Sequence, residues 1–160
     1  MGKILSREAL GEAVDRLHRG GSKIAFTNGC FDILHVGHVQ YLEAARREAD
    51  VLIVAVNSDA SVRAIKGEKR PLVPEGERAA VVAGLAAVDF VTLFSEQTPL
   101  DLIQSLRPDV IVKGGDWKEE DVVGRDAVRA WGGRVMIIPE TAGASTTNLV
   151  AKILETYGRP

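Results

Sequence analysis

Apolar residues along this chain alternate between the three-and-four step of a helix and unbroken runs of strand length. From Ser6 to Arg19 they fall at Ala9, Leu10, Ala13, Val14 and Leu17, a helical spacing with Ser6 placed to cap its start and Gly20-Gly21 to stop it. Lys23-Ile24-Ala25-Phe26-Thr27 reads as a first buried strand, and residues 37–48, with Val39, Leu42, Ala45 and the adjoining Ala49 on one face, as the helix that follows. The run Val51-Leu52-Ile53-Val54-Ala55-Val56 is continuous and β-branched, which suits a central parallel strand covered on both faces. Strand, helix and strand in succession predict a βαβ unit.

The alternation continues to the end. The pattern predicts a short helix over 59–65, a polar loop over 66–74, a helix over 75–87, a strand over 90–94, a helix over 100–106, a strand over 110–113, a helix over 124–131, a strand over 134–138 and a last helix over 146–157. Five strands alternating with helices predict an α/β fold, a doubly wound five-stranded parallel sheet of Rossmann-like type. With 160 residues, 46% of them hydrophobic, the chain is long enough for one compact domain over 1–160, in which residues 1–21 are a lead-in helix.

Charge and cysteine content narrow the partners. A net charge of -2, from interspersed acids and bases, offers no basic field for nucleic acid or a membrane surface, so a small soluble ligand is expected. The single cysteine, Cys30, excludes an internal disulfide, and residues 1–10 carry neither a signal core nor a membrane-length run. The cytoplasm is the expected location.

In a doubly wound sheet, ligands bind beyond the carboxyl ends of the strands. Four polar or Gly-rich stretches follow predicted strands and would open on one rim: 28–37, Asn57-Ser58-Asp59, Lys113-Gly114-Gly115-Asp116-Trp117, and 141–147. In the first, His35 and His38 flank Val36-Gly37 at a helix start, where an i, i+3 pair shares one side and Gly37 lets a phosphate oxygen approach the amides. A zinc site on Cys30, His35 and His38 is the rival, but no fourth ligand lies nearby in sequence. Cys30 reads as a small packing residue, and Asp32 equally as a turn residue or as one orienting an amide or histidine.

Further candidates lie in the other stretches. Lys66-Gly67-Glu68-Lys69-Arg70-Pro71 concentrates cations where Lys66 and Arg70 could clamp a polyphosphate, while spacing alone puts Arg78 on a helix surface. Gly114 and Gly115 would let a ligand lie against the backbone, Asp116 could hold a ribose, a base or a magnesium-bound water, and Ser145-Thr146-Thr147 opens the last helix with three hydroxyls. Neither Gly-x-Gly-x-x-Gly after the first strand nor a P-loop is present. A nucleotide would have to be held another way.

Gly29-Cys30-Phe31-Asp32-Ile33-Leu34-His35-Val36-Gly37-His38 resembles the G-x-F-D-x-x-H-x-G-H motif of the cytidylyltransferase-like nucleotidyltransferases, and Ser145-Thr146-Thr147 resembles their later S-T-T element. The fuller strings Phe26 to His35, Val56 to Asp59, Lys66 to Pro71, Val112 to Trp117 and Ser145 to Asn148 are close to the D-glycero-β-D-manno-heptose 1-phosphate adenylyltransferases. That resemblance implies a Rossmann-like nucleotidyltransferase fold and transfer of AMP from ATP to the heptose phosphate, giving ADP-heptose for the lipopolysaccharide inner core. It also implies Mg²⁺ accompanying ATP and no metal held by the protein itself.

By the same resemblance His35, His38 and Lys66 are catalytic. Asn28, Gly29, Cys30, Phe31, Gly37, Arg70, Arg78, Lys113, Gly114, Asp116, Ser145, Thr146 and Thr147 bind nucleotide, and Asp32, Asn57 and Asp59 bind the acceptor. The family is often fused behind a sugar kinase, for which this chain has no room; it resembles a stand-alone form or an excised C-terminal domain. Pro139-Glu140-Thr141-Ala142-Gly143 lacks the arginine that glycerol-3-phosphate cytidylyltransferases carry there, which argues against glycerol phosphate with CTP. The apolar lead-in helix and the family's habits favour a homo-oligomer.

Overall fold

A computed structural model describes residues 2–115, 117–139, 143 and 145–158. The elements run β1 (Lys3–Ile4), α1 (Arg7–Arg19), β2 (Ile24–Gly29), α2 (Val36–Arg46), β3 (Val51–Asn57), α3 (Asp59–Lys66), α4 (Glu75–Ala83), β4 (Phe90–Phe94), α5 (Leu100–Leu106), β5 (Val110–Gly114), α6 (Arg125–Ala130), β6 (Arg134–Ile138) and α7 (Thr146–Tyr157). All strand pairs are parallel, in the order β1-β4-β3-β2-β5-β6.

The sheet therefore has six strands, where the sequence pattern predicted five. The extra one, β1, is two exposed residues pairing Lys3 with Phe90 and Ile4 with Val91 at the sheet's edge. Two exposed residues carry no alternation by which to recognise a strand; only the neighbouring β4 defines this one. The other five strands lie where the apolar runs predicted them, within one or two residues.

Two apolar layers sandwich the sheet. On one face Leu10 and Val14 of α1, Leu102, Ile103 and Leu106 of α5 and Val128 of α6 cover Phe26, Ile53 and Ile111. On the other, Leu42 and Ala45 of α2 and Ala79 and Val82 of α4 cover Ala25, Leu52, Val54 and Val112. Every residue of β3 is buried, as its unbroken apolar run requires of a strand covered on both faces. The apolar side of α1 is thus covered within its own chain, and the predicted lead-in helix is part of the core. No helix among the described residues is long and apolar enough to cross a membrane.

Chain order positions the site. From β2 the chain steps outward through β3 to β4, then crosses back to place β5 on the other flank of β2. The loops leaving β2 and β5 therefore diverge, and the crevice between them is where a doubly wound sheet receives its ligand.

Ile53, fully buried at the centre of β3, should make core packing measurable. Ile53→Ala should lower the unfolding free energy by about 3 kcal/mol in urea titrations, through lost burial and the cavity left behind. Val81→Ala, at a half-exposed position, should change it by less than about 0.5 kcal/mol.

Candidate functional site

The turn after β2 is shaped by backbone before side chains enter. Phe31 holds the left-handed conformation, φ 47°, rare for a non-glycine residue, with its ring buried. A Cβ on Gly29 would meet that ring at 3.0 Å, so glycine there lets the turn fold over the strand end. His35 then occupies the N-cap position of α2 in extended backbone.

The two imidazoles stack with centroids 3.9 Å apart, and the Phe31 ring lies 5.5 Å from His38. The His35 backbone N–H donates to Nδ1 of His38 at 3.4 Å, so the neutral His38 ring carries its proton on Nε2. Burial, and secondarily the neighbouring His35 ring, pushes the His38 pKa down to about 4. His38 is accordingly a neutral Nε2–H donor at physiological pH. Nδ1 of His35 is buried with no hydrogen-bond partner among the described residues, an acceptor or donor left for something outside the protein.

These rings border two neighbouring cavities. The larger, about 470 Å³, lies between the ends of β2 and β5, and its lining includes Asn28, Gly29, His35, Gly37, Lys113, Gly114, Trp117 and Ser145. The second, about 390 Å³, takes in Asp32, Lys66, Arg70 and Thr147. Cys30, Phe31, His38 and Thr146 line both, so His38 stands at the boundary.

The charged side chains of the lining are Lys113 in the larger cavity and Asp32, Lys66 and Arg70 in the smaller. In the larger cavity Lys113 Nζ donates to Asn28 Oδ1 at 2.5 Å and lies 5.9 Å from the Trp117 ring centroid; burial pushes its pKa down to about 8. In the smaller, Arg70 Nε donates to Asp32 at 2.5 Å, and Lys66 ends α3. The Asp32 carboxylate also accepts from the amides of Leu72 and Val73, 2.8 and 2.9 Å. Burial raises its pKa, but those amides and Arg70 outweigh it and hold the carboxyl below its ordinary value. Asp32 thus ties the 67–74 loop to the β2 turn. Burial pushes the Cys30 thiol up, keeping it protonated at neutral pH.

Three sequence-predicted positions belong to the scaffold. Arg78, expected on a helix surface and by resemblance at a phosphate, is fully buried. Its Nε donates to Val73 O (2.8 Å), Nη1 to Cys30 O (2.5 Å), and Nη2 to Asn57 O and Asp59 Oδ1 (both 2.8 Å). Asn57 is buried with its side-chain amide on Ser61, and Asp59 faces Arg78, so neither lines the two cavities at the histidines. The β3–α3 turn is too tightly satisfied to open on the ligand rim, since Ser58 caps α3 at once. Asp116 lies outside the described residues, as do 140–142 and 144.

The last helix contributes from a distance in sequence. Ser145 caps α7 by accepting from the Asn148 amide at 3.0 Å, and Thr146 Oγ1 donates to Ile33 O at 3.2 Å, bringing the S-T-T segment onto the β2 turn. Tyr41 was missed by sequence reasoning. Its hydroxyl bonds Thr27 Oγ1 (2.6 Å) and Val112 O (3.0 Å), bridging β2 and β5 beneath the larger cavity, and a Cβ on Gly114 would approach its ring to 3.1 Å. The signal was present: Tyr41 follows His38 by three residues, on the same side of α2.

Two measurements check this electrostatic picture. In an NMR titration His38 should remain neutral until pH nears 4, where an unperturbed histidine titrates near 6.5. The unfolded chain takes up that proton first, so the ring's contribution to stability is complete above about pH 6.5 and lost as pH falls toward 4. Arg78→Met should cost about 3 kcal/mol in chemical denaturation, because it strands the Asp59 carboxylate and several carbonyls together.

The cytidylyltransferase-like family model matches residues 26–151, which include the β2 turn, both cavities and the start of α7. A protein of Trichlorobacter lovleyi named bifunctional protein HldE is 54% identical over 155 residues, covering 97% of this chain and 32% of that protein. The protein of the same name in Geobacter metallireducens is 53% identical over 156 residues, covering 98% and 32%. The chain spans about a third of the length of these curated relatives. The crystal structure of a lipopolysaccharide core biosynthesis protein from Thermoplasma volcanium superposes with a TM-score of 0.63 at 30% identity, over 76% of this chain and 98% of that one. The histidine pair, the cationic cavities and the S-T-T helix start thus sit inside a match covering most of the chain: this protein belongs to the cytidylyltransferase-like family.

Proposed function

We propose that this chain transfers AMP from ATP to D-glycero-β-D-manno-heptose 1-phosphate, releasing pyrophosphate and forming ADP-heptose for the lipopolysaccharide inner core. The observation that carries the reading is His38, a neutral Nε2–H donor stacked on His35 at the boundary of two cavities lined by cations. Likeness over nearly the whole chain to the relatives named HldE, and to a protein of lipopolysaccharide core synthesis, supports the same acceptor class.

The chemistry requires charge and alignment more than proton transfer. A sugar phosphate is anionic near neutral pH, so its oxygen attacks the α-phosphorus without a general base. The oxygen bridging the α- and β-phosphorus departs on pyrophosphate with the bonding electrons. His38 donates to an oxygen of the α-phosphate, whose charge shifts as the pentacoordinate state forms; such a donor is worth about 3 kcal/mol. Lys66 and Arg70 neutralise the departing pyrophosphate, and Gly29, Gly37 and Gly114 keep the walls low enough for the nucleotide to lie against backbone.

The described residues contain no group of three or more His, Cys, Asp or Glu side chains that could hold a metal ion. Asp32, the buried carboxylate nearest the histidines in sequence, is already occupied by two amides and Arg70. Among the described residues Asp32 is thus not free to hold a cation. Mg²⁺ enters as part of the substrate, on the phosphates of ATP.

Pyrophosphate release should be measured with ATP and with CTP, each against heptose 1-phosphate, glycerol 3-phosphate and phosphopantetheine. Turnover is expected with ATP and heptose 1-phosphate, and turnover confined to CTP would refute the adenylyl assignment. His38→Ala should reduce kcat about 100-fold, in line with one lost transition-state donor. A loss of less than threefold would remove the role given to that ring.

A further inference from the structure

We infer that Lys113 is a carbonyl-reactive lysine, through which the cavity between the ends of β2 and β5 takes small anionic aldehydes as reversible covalent ligands. The inference goes beyond the adenylyl transfer proposed above and does not need that reaction to occur.

Burial singles this side chain out. Lys113 is partly buried at the end of β5, whereas every other lysine of the chain is exposed. Its ammonium donates to the neutral Oδ1 of Asn28 at 2.5 Å, and no described carboxylate forms an ion pair with it. No aspartate or glutamate is among the described residues that line the cavity. The other titratable groups there are Cys30, His35, His38 and Tyr41, and burial pushes the Cys30 thiol and the Tyr41 hydroxyl up, so neither becomes an anion at neutral pH. The ammonium has lost water without gaining a counter-charge, which is costly. Giving up a proton relieves that cost, and burial accordingly pushes the Lys113 pKa down to about 8.

An unprotonated amine that opens on a cavity is a nucleophile for carbonyl carbon. At pH 7 about a tenth of an amine with this pKa is neutral, against fewer than about one in a thousand at the ordinary lysine value. The neutral Nζ adds to the aldehyde carbon, and the carbinolamine so formed loses water. The proton shed by the ammonium goes to solvent, the carbonyl oxygen leaves with the two amine hydrogens, and a C=N bond remains. Nothing is oxidised or reduced. The imine suits the site better than the ammonium, because it need carry no charge there and Asn28 can turn its amide to donate Nδ2–H to the imine nitrogen.

The surroundings select among aldehydes. A cavity of about 470 Å³ has room for a small molecule beyond the reacting carbon. The half-exposed Trp117 ring, its centroid 5.9 Å from Nζ, is a flat partner for a planar ligand. His38 presents its Nε2–H to the same cavity as a donor for an anionic group, and the charge of Lys113 draws an anion in before the bond forms. A phosphorylated aromatic aldehyde meets all of these demands.

Pyridoxal 5′-phosphate is the probe. It is added in small excess to the wild-type protein without nucleotide, the imine is fixed with sodium borohydride, and the modified residues are mapped by peptide mass spectrometry. Lys113 should be modified at least tenfold faster than any other lysine, with a rate that is half-maximal near pH 8. Even labelling across the lysines, or a rate at Lys113 still climbing beyond pH 10, overturns the inference. With pyridoxal, which lacks the phosphate, the lead of Lys113 over the exposed lysines should shrink at least fivefold, and an unchanged lead overturns the preference for anions.

Lys113→Gln, its fold checked by thermal melting, should lose the fast phase of labelling; a fast phase that survives the substitution counts against the assignment. The wild-type map decides the matter if that variant does not fold. Saturating ATP with Mg²⁺ should slow labelling of Lys113 tenfold or more, because the nucleotide is laid in the same cavity. Labelling undiminished by ATP refutes that placement of the nucleotide and not the reactivity of the lysine.

Discussion

The Arg78 guanidinium sits where four segments of chain would otherwise have no reason to meet. It donates to the Cys30 carbonyl in the β2 turn, the Asn57 carbonyl at the end of β3, the Asp59 carboxylate at the start of α3 and the Val73 carbonyl before α4. An arginine buried this completely is tolerable only when its planar fork of donors is matched, and here four of its five N–H groups are. The match is also directional, so it fixes the relative placement of those segments. Asp32 works alongside it from the opposite polarity, taking the Leu72 and Val73 amides and Arg70 to hold the 67–74 loop against the same turn. The position of His35 and His38 follows from this lattice.

That arrangement also gives a chain of net charge -2 cations at its cavities. The carboxylates nearest the site, Asp32 and Asp59, are turned inward onto amides and guanidinium groups of the protein. Lys66, Arg70 and Lys113 line the cavities, so the local field is set by cations although the total charge is not. Burial then sharpens each group's role: it keeps His38 neutral and donating, keeps the Cys30 thiol protonated, and makes the Lys113 ammonium expensive to leave unpaired.

Much of this was legible in the chain. The switch from helical spacing to unbroken apolar runs located every strand that is buried, because a buried strand must be apolar along its whole length. Residues 28–38 announced a shaped strand-to-helix turn bearing two imidazoles, and the structure places both rings at a cavity there. Where reading failed, the reason was a contact distant in sequence. Arg78 lies one helical repeat before Val82, on the inward side of α4, yet an arginine there is credible only once four acceptors from elsewhere surround it. Asn57 and Asp59 follow a central strand as ligand residues would, but Arg78 draws them into the scaffold. Tyr41 shares a side of α2 with His38, yet its importance lies in bonding Thr27 and Val112 across the two strands that bound the cavity.

What the sequence determined by itself was periodic or local: the alternation of elements, the parallel sheet it implies, the capped helix starts and the glycine-shaped turn that carries the two histidines. These depend on hydrophobic burial along one element and on backbone freedom within a few residues, and both are written in consecutive positions. What only the tertiary structure decided was division of labour among the charged groups. Strand order brings the ends of β2 and β5 together, Arg78 and Asp32 consume each other's neighbours, and Lys113 is left facing Asn28 in a cavity. Electrostatic roles depend on distance and desolvation in three dimensions, and no spacing along the chain specifies either.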